Sequence, residues 1–407
     1  MNGRWLTLAC LMAVWTKLSA ADTGISYLLE SSWLNNNDNS VIQVSENLIP
    51  QPTSSRTQIV ELNYNQSILS ATAAARAIQY TGQSDENELR IKEFVLASSF
   101  GHWEWSAGRR INSFGLGNAF RPLDLTQQQD LLTHEQESLT GVNQLSLERY
   151  LDLDSYGVYL VNPDQLNTNN SRKRTALIAR FATSRELMDW QAALRYSKDN
   201  QLQAGFGGIR ILGDDLSLHS SLLWSSRYQR QVSELTNEGS ELLSATNPWI
   251  QQSYDNGLNW LLGANWTWSA RQNLVLEYWH NDFALSKQQW QGHLDLMQSQ
   301  NRLLTTAAPI EAVEGNLAWS ARAFANTNRM QNNLLTRWSY SADTVQPRLT
   351  LLYSPDDSGL MTEATFTVDR YAIKFQAGAR HFSGPDNSVY DQLIEKSRLF
   401  LSVYGNF

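Results

Sequence analysis

The sequence predicts an all-β fold: a transmembrane antiparallel β-barrel of 16 to 18 strands, with 18 the better count. Segments of about ten residues alternate apolar and polar side chains, as strands with one lipid-facing and one wet face do. After the first 21 residues, no run is apolar and long enough to form a membrane helix. The chain has a mean hydropathy of −0.41, yet it holds 15 Trp, 15 Tyr and 13 Phe. This combination is typical of a barrel with a polar interior and aromatic girdles.

The N-terminus has the pattern of a cleavable export signal, which we place at residues 1–21. Arg4 gives a positive start, and residues 5–15 form a short apolar core. Small residues then lead to a cleavage site after Ala21, with Ala20 as the alternative. An apolar core of this length is too short to span a bilayer. Export without a membrane helix leads to the periplasm or, for a barrel, to the Gram-negative outer membrane.

Residues 22–407 form one predicted domain, the barrel. The only cysteine, Cys10, lies in the signal, so this domain has no disulfide and no thiolate metal site. Removing Arg4 and Lys17 from the 32 basic residues leaves 30 against 40 acidic residues, a net charge of −10. This balance argues against a nucleic-acid partner. Scattered histidines without metal spacing, and the absence of a nucleotide-binding loop, predict no cofactor and no enzyme activity.

The strand predictions depend on side chains that alternate between two faces. From Trp260 to Trp268, the apolar residues at even positions face one way and polar residues face the other. Eighteen such segments are separated by short turns and by long connectors, near 35–56, 113–143, 229–258 and 283–331. With this count every long connector lies on one side, opposite both termini, as long extracellular loops and short periplasmic turns require. Misjudging one hairpin preserves this arrangement, so 16 strands is the alternative.

The last strand ends in an aromatic residue, Phe407. Leu399, Leu401, Val403 and Gly405 share its face, and mostly polar residues share the other. This arrangement resembles the C-terminal signature of Gram-negative outer-membrane β-barrels. The resemblance implies a location in the outer membrane and contact with its lipid. It also implies that the barrel assembly machinery recognises the strand that ends in Phe407.

The segment from Gly108 to Asp124 is the most distinctive string in the sequence. A Gly-Arg strand end leads through a glycine-rich turn into Phe-Arg-Pro-Leu-Asp. This string is similar to one in porin-like outer-membrane barrels of proteobacteria, a largely uncharacterised group, although Phe114 stands where Trp is expected. Residues 351–359 and 382–385 are similar to the closing hairpins of the same group. The resemblance implies a porin-like barrel and says little about its substrate.

The residue types in this string predict a constriction. Gly115 and Gly117 allow turns that are closed to other residues, and Pro122 ends strand pairing. Such a segment can fold back into the lumen and narrow it. The charged residues expected at the narrowest point are Arg110, Arg121 and Asp124. The alternative is a structural turn that carries an ion pair on the surface.

The predicted lumen wall carries more bases than acids. If the apolar faces contact lipid, the lumen-facing bases are Arg110, Arg180, Arg195, Arg227, Arg337, Arg348, Lys374 and Arg380, and the acids are Glu61, Glu104, Glu148, Glu277 and Glu363. Rings of Arg or Lys favour anions in a pore. The alternative is that loop carboxylates pair with these arginines and leave no net field.

One long connector has helical spacing. Between Ser286 and Thr305, the apolar residues that recur at helical intervals are Trp290, Leu294, Met297 and Leu304. We expect a short amphipathic helix here, in an outer loop that folds into the lumen. A solvated loop with chance spacing is the alternative.

These patterns favour passive, porin-like diffusion of a small hydrophilic solute, with a mild preference for anions. The connectors 113–143 and 283–331 are expected to narrow the path. One alternative is a barrel that exports or assembles a surface polysaccharide, with loops rich in Trp, Asn and Gln holding the glycan. A lipid hydrolase built on His219 beside Ser217 and Ser221 is a weaker alternative, because the chain has no Gly-x-Ser-x-Gly elbow.

Overall fold

The structure is a computed structural model that describes residues 22–42, 44–45, 48–49, 51–126, 139–162, 175–237, 241–269, 271–325 and 328–407. The predicted signal peptide therefore lies outside the described residues, as does part of the connector 113–143. No helix in the described part of the chain has the length and apolar character needed to cross a membrane.

Eighteen strands account for most of the described chain. They are β1 (Asp22–Asn36), β2 (Ser54–Gln66), β3 (Leu69–Tyr80), β4 (Glu86–Phe100), β5 (Trp103–Arg110), β6 (Val142–Leu151), β7 (Asp154–Val161), β8 (Ala176–Arg185), β9 (Met188–Ser197), β10 (Gln201–Leu212), β11 (Leu216–Ser233), β12 (Trp249–Ser269), β13 (Gln272–Asn281), β14 (Asn332–Tyr340), β15 (Val345–Tyr353), β16 (Leu360–Arg370), β17 (Ile373–Ser383) and β18 (Glu395–Asn406). Two α-helices, α1 (Lys287–Leu303) and α2 (Ile310–Ser320), lie between β13 and β14.

The strands form one closed antiparallel barrel. Each strand pairs with the next in sequence, and β1 also pairs with β18, from Ser26 opposite Asn406 to Asn36 opposite Glu395. Closure satisfies the backbone hydrogen bonds that an open sheet would leave unpaired. The prediction of 18 strands is confirmed.

The two ends of the barrel differ, as predicted. Asp22, where the described chain begins, Phe407 and most of the short turns lie at one end, which we call the short-turn side. The long connectors lie at the other end, the long-loop side; they span 37–53, 111–141, 162–175, 234–248, 282–331 and 384–394, and three short turns, 81–85, 198–200 and 354–359, lie there too. One boundary was wrong. Much of the predicted connector 229–258 is strand, because β11 continues to Ser233 and β12 begins at Trp249.

The outer surface of the barrel is apolar. On β12, Leu262 is 57% exposed and Trp266 is 47% exposed, whereas the inward-facing Leu261 is fully buried. A chain of rings crosses four neighbouring strands near the short turns: centroid distances are 5.0 Å from Tyr156 to Phe181, 5.0 Å from Phe181 to Trp190, and 5.9 Å from Trp190 to Phe206. Such a belt is typical of a barrel surface at a lipid–water boundary.

The interior is partly filled by the connectors of the long-loop side. The predicted helix is confirmed as α1, in which Trp290, Leu294 and Met297 are buried. It begins with a capping box, in which the Ser286 hydroxyl accepts from the backbone N–H of Gln289 and the Gln289 side chain accepts from the backbone N–H of Ser286. The second helix, α2, was not predicted, because its 11 residues have no clear apolar stripe.

Candidate functional site

Residues 111–126, which we call the inner segment, leave the end of β5 and fold against the inside of the barrel. Asp124 holds its first turn together. The Asp124 carboxylate accepts from the Ser113 hydroxyl at 2.8 Å and from the backbone N–H groups of Phe114 and Gly115, each at 2.7 Å. Asp124 is 2% exposed. Burial raises the pKa of Asp124, and the hydrogen bond from Ser113 and the charge of Arg121 oppose that rise.

The inner segment sits on a glycine-lined part of the wall. A Cβ at Gly205 or Gly207 of β10 would lie less than 3.0 Å from a methyl group of Leu123, so glycine at these positions lets Leu123 approach the wall closely. Leu123 belongs to a buried apolar cluster with Leu125 and Tyr159. The glycine-rich stretch of β10 is therefore a place of close approach and not a phosphate loop.

Glu277 of β13 anchors the middle of the inner segment. Its carboxylate accepts from the backbone N–H of Asn118 at 2.6 Å and of Ala119 at 2.8 Å. The Asn118 amide also donates to it at 3.0 Å, and His219 Nε2 lies 2.8 Å from Oε1. Glu277 is 1% exposed. It therefore lies beneath the inner segment. The prediction that Glu277 faces the open lumen was wrong.

A ring contact continues this anchor. Phe120 stacks on Trp279 of β13, with the ring centroids 5.8 Å apart. Gly117 is the other close contact, because a Cβ there would overlap the backbone of the segment and the side chain of Leu261. The inner segment is thus held by the hydrogen bonds to Glu277, by the stack of Phe120 on Trp279 and by close packing at Gly117.

Two predicted constriction residues, Arg110 and Arg121, have different partners. Arg110 Nη1 lies 3.3 Å from a Glu148 oxygen, and its Nη2 lies 3.8 Å from Glu104. Arg121 donates from Nε to the carbonyl of Gly117 at 2.8 Å and lies 4.0 Å from Asp124. About a quarter of each arginine side chain is exposed, at 26% and 29%. Both arginines reach solvent while Asp124 does not.

Arg180 and Arg195 also face inward, but in different surroundings. Arg180 donates from Nε to Gln191 at 3.0 Å and lies 4.9 Å from the ring centroid of Phe114. Arg195 is 3% exposed and donates to Ser197 at 3.0 Å and to Gln203 at 2.7 Å. Arg195 is therefore a structural arginine behind the lumen surface, and Arg180 supports the inner segment.

A second sector of the wall, β14 to β17, carries the remaining predicted bases. The register places Arg337 opposite Thr350 and Arg348 opposite Thr365 on the inward face. Arg380 donates from Nε to Glu363 at 2.7 Å, and Lys374 Nζ lies 3.8 Å from Asp369. Glu363 was predicted as a wall acid, and its partner is the directly opposite residue on β17.

Arg227 is not in the position that the alternation predicted. It lies 3.6 Å from Asp255, and the two side chains are 42% and 73% exposed. Tyr228 is buried instead, and its ring stacks on Phe283 with the centroids 5.0 Å apart. The backbone of Asn256 has a φ of 59°, which interrupts the alternation of the β11–β12 hairpin. Beyond this point the predicted faces are exchanged.

The two helices pack over the inner segment as a helical cap, defined here as α1 and α2. The Trp290 indole donates to the carbonyl of Arg329 at 2.6 Å, and Gln300 donates to the carbonyl of Leu242 at 2.8 Å. The cap packs against the inward residues Leu335, Leu352, Met361 and Phe382 of four strands. Burial lowers the pKa of His293 in α1 to about 4, so this imidazole is neutral and adds no charge to the lumen.

Solved barrels with the same fold include OccAB1 of Acinetobacter baumannii, which gives a TM-score of 0.54 at 8% sequence identity over 95% of this chain and 96% of that chain. OccK8 (OprE) of Pseudomonas aeruginosa gives 0.53 at 11% identity, over 96% and 98% of the two chains. OccK5 (OpdH) of the same organism gives 0.52 at 7% identity, over 96% and 98%. The barrel is similar to the Occ structures. At these identities the likeness concerns the fold alone. No protein-family model matches the sequence, and no curated protein matches it.

Sequence reasoning missed several charged residues of the wall. Lys92 is 5% exposed and pairs with Glu61. The register of β3 and β4 shifts beside it, so period two alone places it on the wrong face. Arg398 pairs with Glu395 three residues earlier, at 2.6 Å. That spacing could have been found in the sequence. Five of the wall cations therefore lie within 4 Å of a carboxylate, which weakens any field along the lumen; they are Lys92, Arg110, Lys374, Arg380 and Arg398.

Proposed function

We propose that the protein is an outer-membrane porin through which small hydrophilic solutes diffuse passively. The observation that carries this proposal is a closed 18-stranded barrel with an apolar exterior, a charged inner wall and an inner segment fixed against that wall. Barrels of about 16 to 18 strands are wide enough to enclose an aqueous channel. The structural neighbours OccAB1, OccK8 and OccK5 are outer-membrane porins, and they favour this proposal over polysaccharide export.

The path is proposed to follow the part of the lumen that the connectors leave open. Two buried apolar clusters occupy the inner walls of β6–β11 and β12–β17, under the inner segment and the helical cap. The opposite wall, from β18 through β1 to β5, carries polar side chains that reach solvent, such as Arg110 and Arg398, which are 26% and 29% exposed. A solute would pass this wall and Arg121 on the inner segment. His219 contacts Glu277 beneath that segment, so we do not propose a serine–histidine hydrolase.

A mild preference for anions remains part of the proposal. Arg337, Arg348 and Lys374 face inward on neighbouring strands of one sector, where Glu363 and Asp369 are the acids. Ion pairs reduce the field of such a sector without removing it, because four bases, counting Arg380, stand against these two acids. We expect selectivity for anions to be modest.

Ion selectivity tests the assignment of Arg110 and Arg121. The double variant Arg110→Glu, Arg121→Glu replaces two positive charges with two negative ones, so the reversal potential in a salt gradient should move to that of a cation-preferring pore. The measurement is made in planar bilayers on folded barrels. Arg185→Glu is the matched control, because Arg185 pairs with Asp154 beside a short turn. Unchanged reversal potentials would remove both arginines from the constriction.

Recognition of the C-terminal strand by the barrel assembly machinery is also a proposal. Phe407 exchanges two backbone hydrogen bonds of 2.8 Å with Ile25 and stacks on Tyr27 at 5.7 Å. Its ring is 62% exposed on the outer surface. Phe407 therefore contributes backbone hydrogen bonds to barrel closure, and its aromatic ring remains accessible to a recognition protein.

Phe407→Ala is expected to slow the appearance of folded barrel in cells severalfold, while the stability of the folded barrel falls by only about 1 kcal/mol, the usual value of one aromatic pair. The measurement is the heat-dependent shift in gel mobility after a pulse of synthesis. Phe375→Ala removes another exposed ring of the outer surface, 46% exposed, from β17 and serves as control. Equal assembly rates for the two variants would argue against recognition through Phe407.

A further inference from the structure

A cavity lies between the inner segment and the short-turn ends of β7, β8 and β9. It has a volume of about 290 Å³, close to the lower end of small-molecule sites. Its roof is the backbone of Ser113 to Leu116 in the inner segment, and its floor lies beside the turns at Leu153 and Ser184. A solute that has passed the inner segment on its way out of the pore would meet this cavity next.

The polar side chains that line the cavity include one positive charge, one negative charge and several uncharged groups. Arg180 and Asp189 are its two charged residues, and Ser155, Ser184 and Gln191 are among the uncharged ones. Arg180 donates to Gln191 through Nε. Its two terminal nitrogens, Nη1 and Nη2, make no hydrogen bond in the described part of the chain. Asp189 accepts from the Ser184 hydroxyl through one oxygen. The second carboxylate oxygen and the guanidinium fork can therefore serve a ligand.

The balance of these groups selects the kind of ligand. The two charged residues cancel, so a free anion meets Asp189 and a free cation meets Arg180, each an unfavourable like-charge contact. A sugar hydroxyl both donates and accepts, which matches a carboxylate, a guanidinium and several hydroxyls at once. Apolar groups of Phe114, Leu116 and Ala182 also line the cavity and can pack against C–H groups.

We propose that this cavity is an exit subsite that retains a neutral polyhydroxylated solute of monosaccharide size. The inference rests on the proposed porin function and names the solute class that the pore would hold. Arg180 and Asp189 are the residues that determine its specificity, and Ser155 contributes a weaker contact.

The test measures interruptions of single-channel current by glucose added on the short-turn side. Alanine serves as a zwitterionic probe and lactate as an anionic probe of smaller size. Glucose should interrupt the current saturably and more tightly than either. Asp189→Ala should weaken glucose about tenfold, the effect of losing a hydrogen bond to a charged group, and Ser155→Ala about threefold. Asp255→Asn, an exposed carboxylate of the long-loop side, should change nothing.

The outcomes separate the two proposals. A folded barrel that never opens would overturn the porin function, and saturation-transfer NMR with glucose would then decide whether the cavity binds it. An open pore without glucose interruptions would overturn only the subsite. Tighter binding of alanine or lactate than of glucose would also overturn it, as would glucose affinity unchanged by Asp189→Ala. Gel mobility shows that each variant is folded before it is scored.

Discussion

Replacing Glu277 with alanine is expected to free the inner segment and raise single-channel conductance severalfold. The carboxylate of Glu277 accepts from two backbone N–H groups and from the Asn118 amide, and it also contacts His219. Removing one partner of such a buried charged contact costs about 3–5 kcal/mol. The barrel wall keeps its ladder of backbone bonds, so the cost falls on docking of the segment.

A cost of this size changes the ratio of docked to undocked segment by about a hundredfold or more. The experiment compares conductance and current noise of the wild type, Glu277→Ala and Glu277→Gln. The glutamine variant keeps an oxygen that accepts from Asn118 and Ala119, so its effect should be smaller. This rank order depends on anchoring and would not follow from a general loss of stability.

Glu30→Ala is the matched control for this experiment. Glu30 is another buried wall carboxylate, 8% exposed, and it accepts from the Ser32 and Ser402 hydroxyls on strands β1 and β18. Its loss should leave the conductance close to that of the wild type, because its hydroxyl partners lie on the wall. If Glu277→Ala is folded and conducts as the wild type does, the prediction is wrong. The Phe120–Trp279 stack and the packing of Leu123 against Gly205 and Gly207 would then suffice to hold the segment.

Trp290→Ala is expected to undock the helical cap and expose it to protease. Trp290 is 2% exposed, contacts the Phe324 ring at a centroid distance of 5.1 Å and donates its indole N–H to the Arg329 carbonyl. Truncating a buried tryptophan costs about 3–5 kcal/mol through lost contacts and the cavity left behind. The cap has few backbone hydrogen bonds to the barrel, so it should respond before the strands do.

The measurement is limited proteolysis of intact cells or liposomes, with cleavage sites located by mass spectrometry. Cleavage between β13 and β14 should be at least tenfold faster in Trp290→Ala than in the wild type, and the conductance should rise. Trp290→Phe keeps a ring and should be intermediate. Trp266→Ala removes an exposed tryptophan of the outer surface and should leave the cap protected. Equal cleavage rates for Trp290→Ala and Trp266→Ala would contradict a docked cap.

Features that depend on local spacing were predicted well. The alternation from Trp260 to Trp268 placed the outward face of β12 correctly, and the spacing of Trp290, Leu294 and Met297 placed α1. Side-chain direction has a period of two in strands and 3.6 in helices, so a few neighbours in sequence are enough to read it. The same rule failed where the backbone leaves that period, at Asn256 and beside Lys92.

The candidate site was predicted less well because its contacts are distant in the chain. Glu277 was assigned to the lumen surface, but Asn118 and Ala119, more than 150 residues earlier, cover it. Leu123 packs against Gly205 and Gly207 of β10, more than 80 positions away, and no residue near those glycines indicates which side chain approaches them. The side chain that fills a space depends on how a loop docks, which adjacent residues do not encode.

The sequence by itself determined a barrel of antiparallel strands and the lipid-facing and lumen-facing sides of those strands. It also determined which end carries the long loops and that one of those loops contains a helix. These follow from short-range periodicity, which any ten-residue window contains. Only the tertiary structure decided that the ring closes between β1 and β18, that Arg380 meets Glu363, and that Glu277 secures the inner segment. Each of these depends on strand register and loop packing between residues far apart in the chain, where the physical partner is chosen by the whole fold.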